Sequence, residues 1–140
     1  MKLIRYMTPT EEEAFAYQTG IAEEFEEPKY IAIRKGYPPR SMARTITHEL
    51  GHLEYPVRIA HTLKPGGEPD DWESYHVLDL FRELCANYFV LKYQPKSGKT
   101  KWLIRQEKRL AKDSGLTTKM VSRIDKVARD RVGYTGKEII

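Results

Sequence analysis

The stretch Thr45-Ile46-Thr47-His48-Glu49-Leu50-Gly51-His52-Leu53 decides how the chain is read. Ser41 ahead of it and Pro56 behind it predict a helix over about residues 42–55, with Ser41 as its cap. Helical residues four apart share a face, so the imidazoles of His48 and His52 can reach one metal ion. Glu49 sits slightly round the helix, where a carboxylate reaches a metal-bound water rather than the metal. Zinc lowers the pKa of such a water from about 15.7 to about 7. A neighbouring carboxylate can then take the proton as the water attacks a peptide carbonyl and deliver it to the leaving amine. The flanking Thr45, Ile46, Leu50, Gly51 and Leu53 are uncharged, as suits a buried metal helix, and Glu54 is the charged exception. The pattern predicts one zinc ion per chain, with Glu49 as general base. Gly51 costs about 1 kcal/mol relative to alanine in a helix, so another element, or a substrate strand, is expected to pass close by.

A catalytic zinc usually has three protein ligands and one open position. A third histidine six residues after His52 is ruled out because Arg58 stands there, and Tyr55 replaces the glycine that a metzincin has three after His52. His61, His76, Glu73, Asp79 and Glu83 remain. Glu83 is favoured because Leu78, Leu80, Phe81, Leu84, Phe89 and Val90 surround it in sequence, and a charge among such residues is rarely buried unless paired or metal-bound. Asn87, one turn on, is placed to hold His48 or His52 by a hydrogen bond that fixes the ring's tautomer. His76, seven residues before Glu83, is a candidate oxyanion stabiliser or a fourth ligand that would close the site. Tyr55, Tyr75 and Tyr88 are weaker candidates for the oxyanion role.

His48 and His52 followed by Glu83-x-x-Ala86-Asn87-x-Phe89 resemble the ImmA/IrrE type of zinc metallopeptidase over roughly residues 40–92. The resemblance implies a zincin-like fold, with Glu83 as third ligand and Asn87 behind the site. It also implies a protein substrate such as a repressor, in a bacterial, phage or mobile-element setting. Val90 stands where that family usually has alanine, and Leu91-Lys92-Tyr93-Gln94-Pro95 replaces its usual Leu-Leu-Met-Pro ending.

Around this centre the sequence predicts an α+β fold, mostly helical, with a small N-terminal β-sheet and a C-terminal helical hairpin. Residues 2–7 read as a first strand. Thr8-Pro9-Thr10-Glu11 reads as a capped helix start, with the helix running to about Glu27 and resting on Phe15, Ile21, Ala22 and Phe25. Tyr30–Arg34 reads as a strand stopped by Gly36 and Pro38-Pro39. Asp70, three residues before Glu73, is expected to cap a helix running to about Tyr93. Helices over about 100–113 and 117–131 complete the chain. Residues 1–95 form the expected metallopeptidase core, and residues 96–140 a basic helical extension packed on the same domain.

Charge divides the same way. Residues 1–91 carry 10 basic and 15 acidic side chains, whereas residues 92–132 carry 13 and 4. A basic segment beside an acidic body suggests a nucleic acid or an acidic protein as partner. Ala111, Gly115 and Val121 have helix-turn-helix spacing, which would turn Thr117, Thr118, Lys119, Ser122 and Arg123 toward DNA. The alternative to a peptidase is therefore a DNA-binding regulator, or a phage or mobile-element accessory protein, with a structural or vestigial zinc site. Cys85 is the only cysteine, which fits a reducing compartment. No apolar run approaches the roughly 20 residues of a membrane span, and the first five residues are too soon charged for a signal peptide. A cytoplasmic protein without a membrane partner is expected.

Overall fold

The structure is a computed structural model, and it describes residues 3–10, 22–26, 29–36, 39–58, 65–66, 71–93, 99–136 and 139–140. Strands β1 (Leu3–Tyr6), β2 (Ala22–Glu26) and β3 (Lys29–Ile33) form a sheet in the order β1-β3-β2. β1 runs parallel to β3, with Leu3 opposite Tyr30 and Tyr6 opposite Ile33. β2 runs antiparallel to β3, with Ala22 opposite Ile33 and Glu26 opposite Lys29. β3 is thus the central strand, and its Ile31, Ala32 and Ile33 are all buried. A strand covered on both faces is expected to read as a continuous apolar run rather than an alternating one.

Here the structure corrects the predicted helix over 8–27. Pro9 and Thr10 are helical, but Ala22 and Phe25 belong to β2. Pairing with β3 supplies these residues with ladder hydrogen bonds that a helix weakened at Gly20 could not match. Phe15 and Ile21 lie outside the described residues.

Four helices follow: α1 (Pro39–Glu54), α2 (Trp72–Tyr93), α3 (Lys99–Ser114) and α4 (Thr118–Val132). α1 begins earlier than expected, so Ser41 lies inside its first turn instead of capping it. Pro39 takes the first helical position, where its fixed φ and missing N–H cost least. The cap of α2 also moves by one residue. Asp71 accepts from the Ser74 amide at 3.1 Å and from Ser74 Oγ at 2.6 Å, while Asp70 lies outside the described residues.

α1 is sandwiched. Met42, Ile46, Leu50 and Leu53 pack on Ile31 and Ile33 of the sheet, and the opposite face meets α2. A Cβ on Gly51 would stand 2.9 Å from Ala86 Cα and 3.0 Å from Phe89 Cβ. The element that passes close to Gly51 is therefore α2.

α2 is buried nearly all round between Leu80 and Leu91, as expected of a helix without a polar face. α1 covers one side of it, and α3 and α4 cover others. Leu84, Cys85, Tyr88 and Leu91 meet Leu103, Val121, Ala128 and Val132 in the larger core. The expected C-terminal hairpin is corrected at this point, because α3 and α4 seat chiefly on α2 rather than along each other. Gly115 joins them at φ 70°, a backbone conformation that favours glycine. Thr117 caps α4 by accepting the Met120 amide.

Glu107 lies on the inner face of α3, one turn beyond Leu103, and is fully buried. Neither of its carboxylate oxygens has a hydrogen-bond partner among the described residues. Burial pushes this carboxyl well above its usual range, and the negative Glu83 and Asp125 push it the same way. A folded-state pKa above the unfolded one favours folding fully below the ordinary value of 4.5. That advantage is lost as pH rises through the raised pKa. Glu107→Leu is therefore expected to stabilise the protein by about 1–3 kcal/mol near pH 8 and by less at pH 5, read by urea denaturation at both.

Candidate metal centre

α1 presents His48 and His52 one turn apart, with ring centroids 4.6 Å apart and planes near perpendicular at 87°. Across the α1–α2 interface, Glu83 meets both rings. Its Oε2 lies 3.0 Å from His48 Nε2, and its Oε1 lies 3.4 Å from His52 Nε2. The close approach at Gly51 is what brings a carboxylate on α2 this near to two imidazoles on α1. His52 is buried, while His48 and Glu83 are partly open to solvent. One side of the cluster therefore faces water.

The other nitrogen of His48 is also engaged, with Nδ1 2.7 Å from Asn87 Oδ1. An amide oxygen only accepts, so Nδ1 carries the proton. The Nε2 edge of His48 then faces a carboxylate oxygen at 3.0 Å, a contact that either a proton or a metal ion can bridge. Zinc binds imidazole nitrogen and carboxylate oxygen at about 2.0–2.2 Å, so two ligands at a tetrahedral angle stand about 3.3–3.4 Å apart. The observed 3.4 Å at His52 matches that spacing, and the 3.0 Å at His48 is shorter. His52 Nδ1 is buried without a hydrogen-bond partner among the described residues, and Nε2 is its contact with Glu83.

Glu49 is buried beside the pair. Its carboxylate and the ligand nitrogens of His48 and His52 lie within 4.8 Å of one another, a His–Glu–His group able to hold a metal ion. Two carboxylates thus flank the same spot. Glu83 contacts both Nε2 atoms from α2, and Glu49 adjoins the same atoms from α1.

Burial raises the pKa of Glu83, but hydrogen bonds from His48 and His52, together with their charge, hold it well below the usual carboxylate range. Arg82 Nη1, 3.3 Å from Glu83 Oε1, supports the anion further. One turn earlier on α2, Asp79 is raised by burial and by the negative Glu83, against the opposing pull of His76 and His52. Asp79, one of the carboxylates the sequence left open as a third ligand, thus adjoins the cluster, and Arg82 does not stand out in the sequence as more than a helix-surface charge.

His76 is not drawn into the cluster. Its ring stacks on Trp72 at 5.4 Å and 21° and meets Tyr75 edge-on. It lines a separate pocket with Asp79, Leu80 and the α3 residues Leu110 and Asp113. The fourth-ligand reading of His76 therefore finds no contact to rest on among the described residues. Two tyrosines expected as oxyanion candidates are committed elsewhere. Tyr88 donates to Asp125 at 2.7 Å in the core, and Tyr55 leans on Phe89 with its hydroxyl toward the Val132 carbonyl. Glu73 is exposed at the start of α2, and His61 lies outside the described residues. Thr118, Lys119, Ser122 and Arg123 are all exposed on the first turns of α4.

Because Asn87 orients the His48 ring and would act on a bound ion only through it, Asn87→Ala is expected to weaken zinc affinity by about 10–100-fold while leaving the fold intact. Competition titration against a chelating dye reads the first effect, and circular dichroism the second. No helix among the described residues is long and apolar enough to cross a membrane. Comparison with known families, with curated proteins and with solved structures gives no match for the chain.

Proposed function

We propose that the protein is a zinc-dependent peptidase that hydrolyses peptide bonds of a protein substrate, with a zincin-like pairing of α1 and α2. The observation that carries the reading is the contact of one carboxylate, Glu83, with the Nε2 atoms of both histidines, with a second carboxylate, Glu49, left beside them. His48, His52 and Glu83 would hold the ion. Bound zinc supplies a water with a pKa lowered to about 7 and polarises the scissile carbonyl.

The remaining steps belong to the chain. Glu49 takes the proton of the attacking water and returns it to the departing amine. Asn87 keeps the proton of His48 on Nδ1, so that Nε2 faces the centre. Arg82 offsets the negative charge that Glu83 brings into a half-buried site. Three protein ligands leave one position for water, which distinguishes this arrangement from a closed structural site. The ImmA/IrrE resemblance agrees with the ligand set and suggests a repressor-like substrate. It rests on the α1 and α2 motifs and extends neither to α3 nor to α4.

The test is exposure of a proteome-derived peptide library to the zinc-loaded protein, with new termini identified by mass spectrometry. Cleavage that disappears on chelation, returns with zinc and is absent from Glu49→Gln is expected. A library with no Glu49-dependent termini would contradict the proposal.

A further inference from the structure

Arg123, expected from the sequence to face DNA, is exposed and borders an apolar groove. Val77, Leu78 and Phe81 of α2 form one wall, and Ile124 and Val127 of α4 form the other, around a volume of about 250 Å³. Val127 is 58% exposed, although it lies on a helix whose other outward positions are polar. Counting about 100° per residue, Val77, Leu78 and Phe81 stand roughly 120–160° round α2 from Glu83. The groove thus opens on the far side of α2 from the metal centre.

We infer that this groove docks a partner protein through an amphipathic helix whose apolar stripe is flanked by acidic residues on the side that faces α4. The volume is below the roughly 300–1,000 Å³ typical of small-molecule sites, but an open apolar trough suits the anchor side chains of a helix. Charge complementarity identifies the flank. Lys119, Arg123 and Val127 follow one another at four-residue steps along α4, with Lys126 beside them, and all are exposed. Arg131, the next step, is held by the carbonyls of Tyr55 and Pro56 at 3.4 and 2.9 Å. Its guanidinium lies 5.6 Å from the Phe81 ring centre.

Nucleic acid fits this surface less well. Asp71 and Glu73 line the adjoining hollow together with Val77 and Leu78, so a phosphate backbone laid across the groove would meet carboxylates on one bank. Phosphate contacts need donors, and the walls between the banks offer none. The docking surface stands apart from the metal centre and holds whether or not that centre hydrolyses peptides.

The experiment is fluorescence anisotropy of the full chain with a labelled synthetic helix. The probe carries leucine at i, i+3, i+4 and i+7, with glutamate along one side of that stripe. A control helix carries lysine in place of glutamate, and a mixed-sequence DNA duplex serves as the competing probe. Saturable binding of the acidic helix is expected, weakening with salt. It should fall at least about 10-fold in Val127→Glu and in Arg123→Glu, with zinc content and melting temperature unchanged in both variants. Exposure of both positions keeps these substitutions clear of the core. Four results would overturn the inference: no saturable binding of the acidic helix, equal binding of the lysine control, full binding by Val127→Glu, or tighter binding of the duplex with loss only in Arg123→Glu.

Discussion

Glu83→Ala is expected to lose zinc, while Glu49→Gln is expected to keep it and lose turnover. The two carboxylates lie close together, yet they occupy different positions relative to the histidines. Glu83 spans His48 Nε2 and His52 Nε2, so its removal leaves two imidazoles and solvent. Zinc affinity should fall by at least about 100-fold, beyond the 10–100-fold seen when an outer partner of a ligand is lost. On the proposed reading, Glu49 contributes a base rather than a bond to the metal. Glutamine preserves its shape and removes its basicity, so turnover should fall by about 10²–10⁴-fold with metal content unchanged. Metal analysis of the two purified variants, beside peptide-cleavage rates, separates these roles. Zinc retained in full by Glu83→Ala would remove α2 from the ligand set.

The second large effect is expected from a single methyl group. Gly51→Ala gains about 1 kcal/mol of helix propensity, so an exposed site would be stabilised. Here the added Cβ would lie 2.9 Å from Ala86 Cα and 3.1 Å from Ala86 O. Backbone atoms cannot swing aside as a side-chain tip can, so α1 and α2 must separate. Overpacking of this kind costs about 1–3 kcal/mol, and a net loss is expected after the propensity gain. The same separation pulls Glu83 from the histidines, so zinc affinity should fall together with stability. Urea denaturation of the metal-free protein and a zinc titration check the two consequences. Unchanged or raised stability would mean that the helices do not approach at Gly51.

What the sequence revealed depended on how local the signals were. His48, Glu49 and His52 lie within one helical turn or so, and a fixed rise per residue sets their geometry before any tertiary contact forms. Glu83 and Asn87 were legible because a carboxylate and an amide stood one turn apart in an otherwise apolar helix, and a polar group there needs a partner. β2 was not legible. Ala22–Glu26 alternates like neither a clean helix nor a clean strand, and its state is set by pairing with β3. Ser41 was read as a cap because it is a favoured cap residue, but Pro39 two positions earlier starts the helix. Glu107 passed as one charge among many on a basic helix, although its four-residue step from Leu103 put it on the inner face. Arg131 gave no local signal, because its partners, Tyr55, Pro56 and Phe81, are distant in sequence.

The central claim is that one zinc ion sits between α1 and α2, held by two imidazoles and Glu83, with a position left for water. X-ray absorption at the zinc edge of the stoichiometrically loaded protein tests it most directly, with Glu83→Gln measured alongside. The account predicts two imidazole nitrogens and a carboxylate oxygen at about 2.0–2.2 Å, with a further light-atom ligand that azide or another small anion displaces. Glu83→Gln should alter the oxygen shell. A shell of four protein ligands that no anion perturbs, or one unchanged in Glu83→Gln, would contradict it.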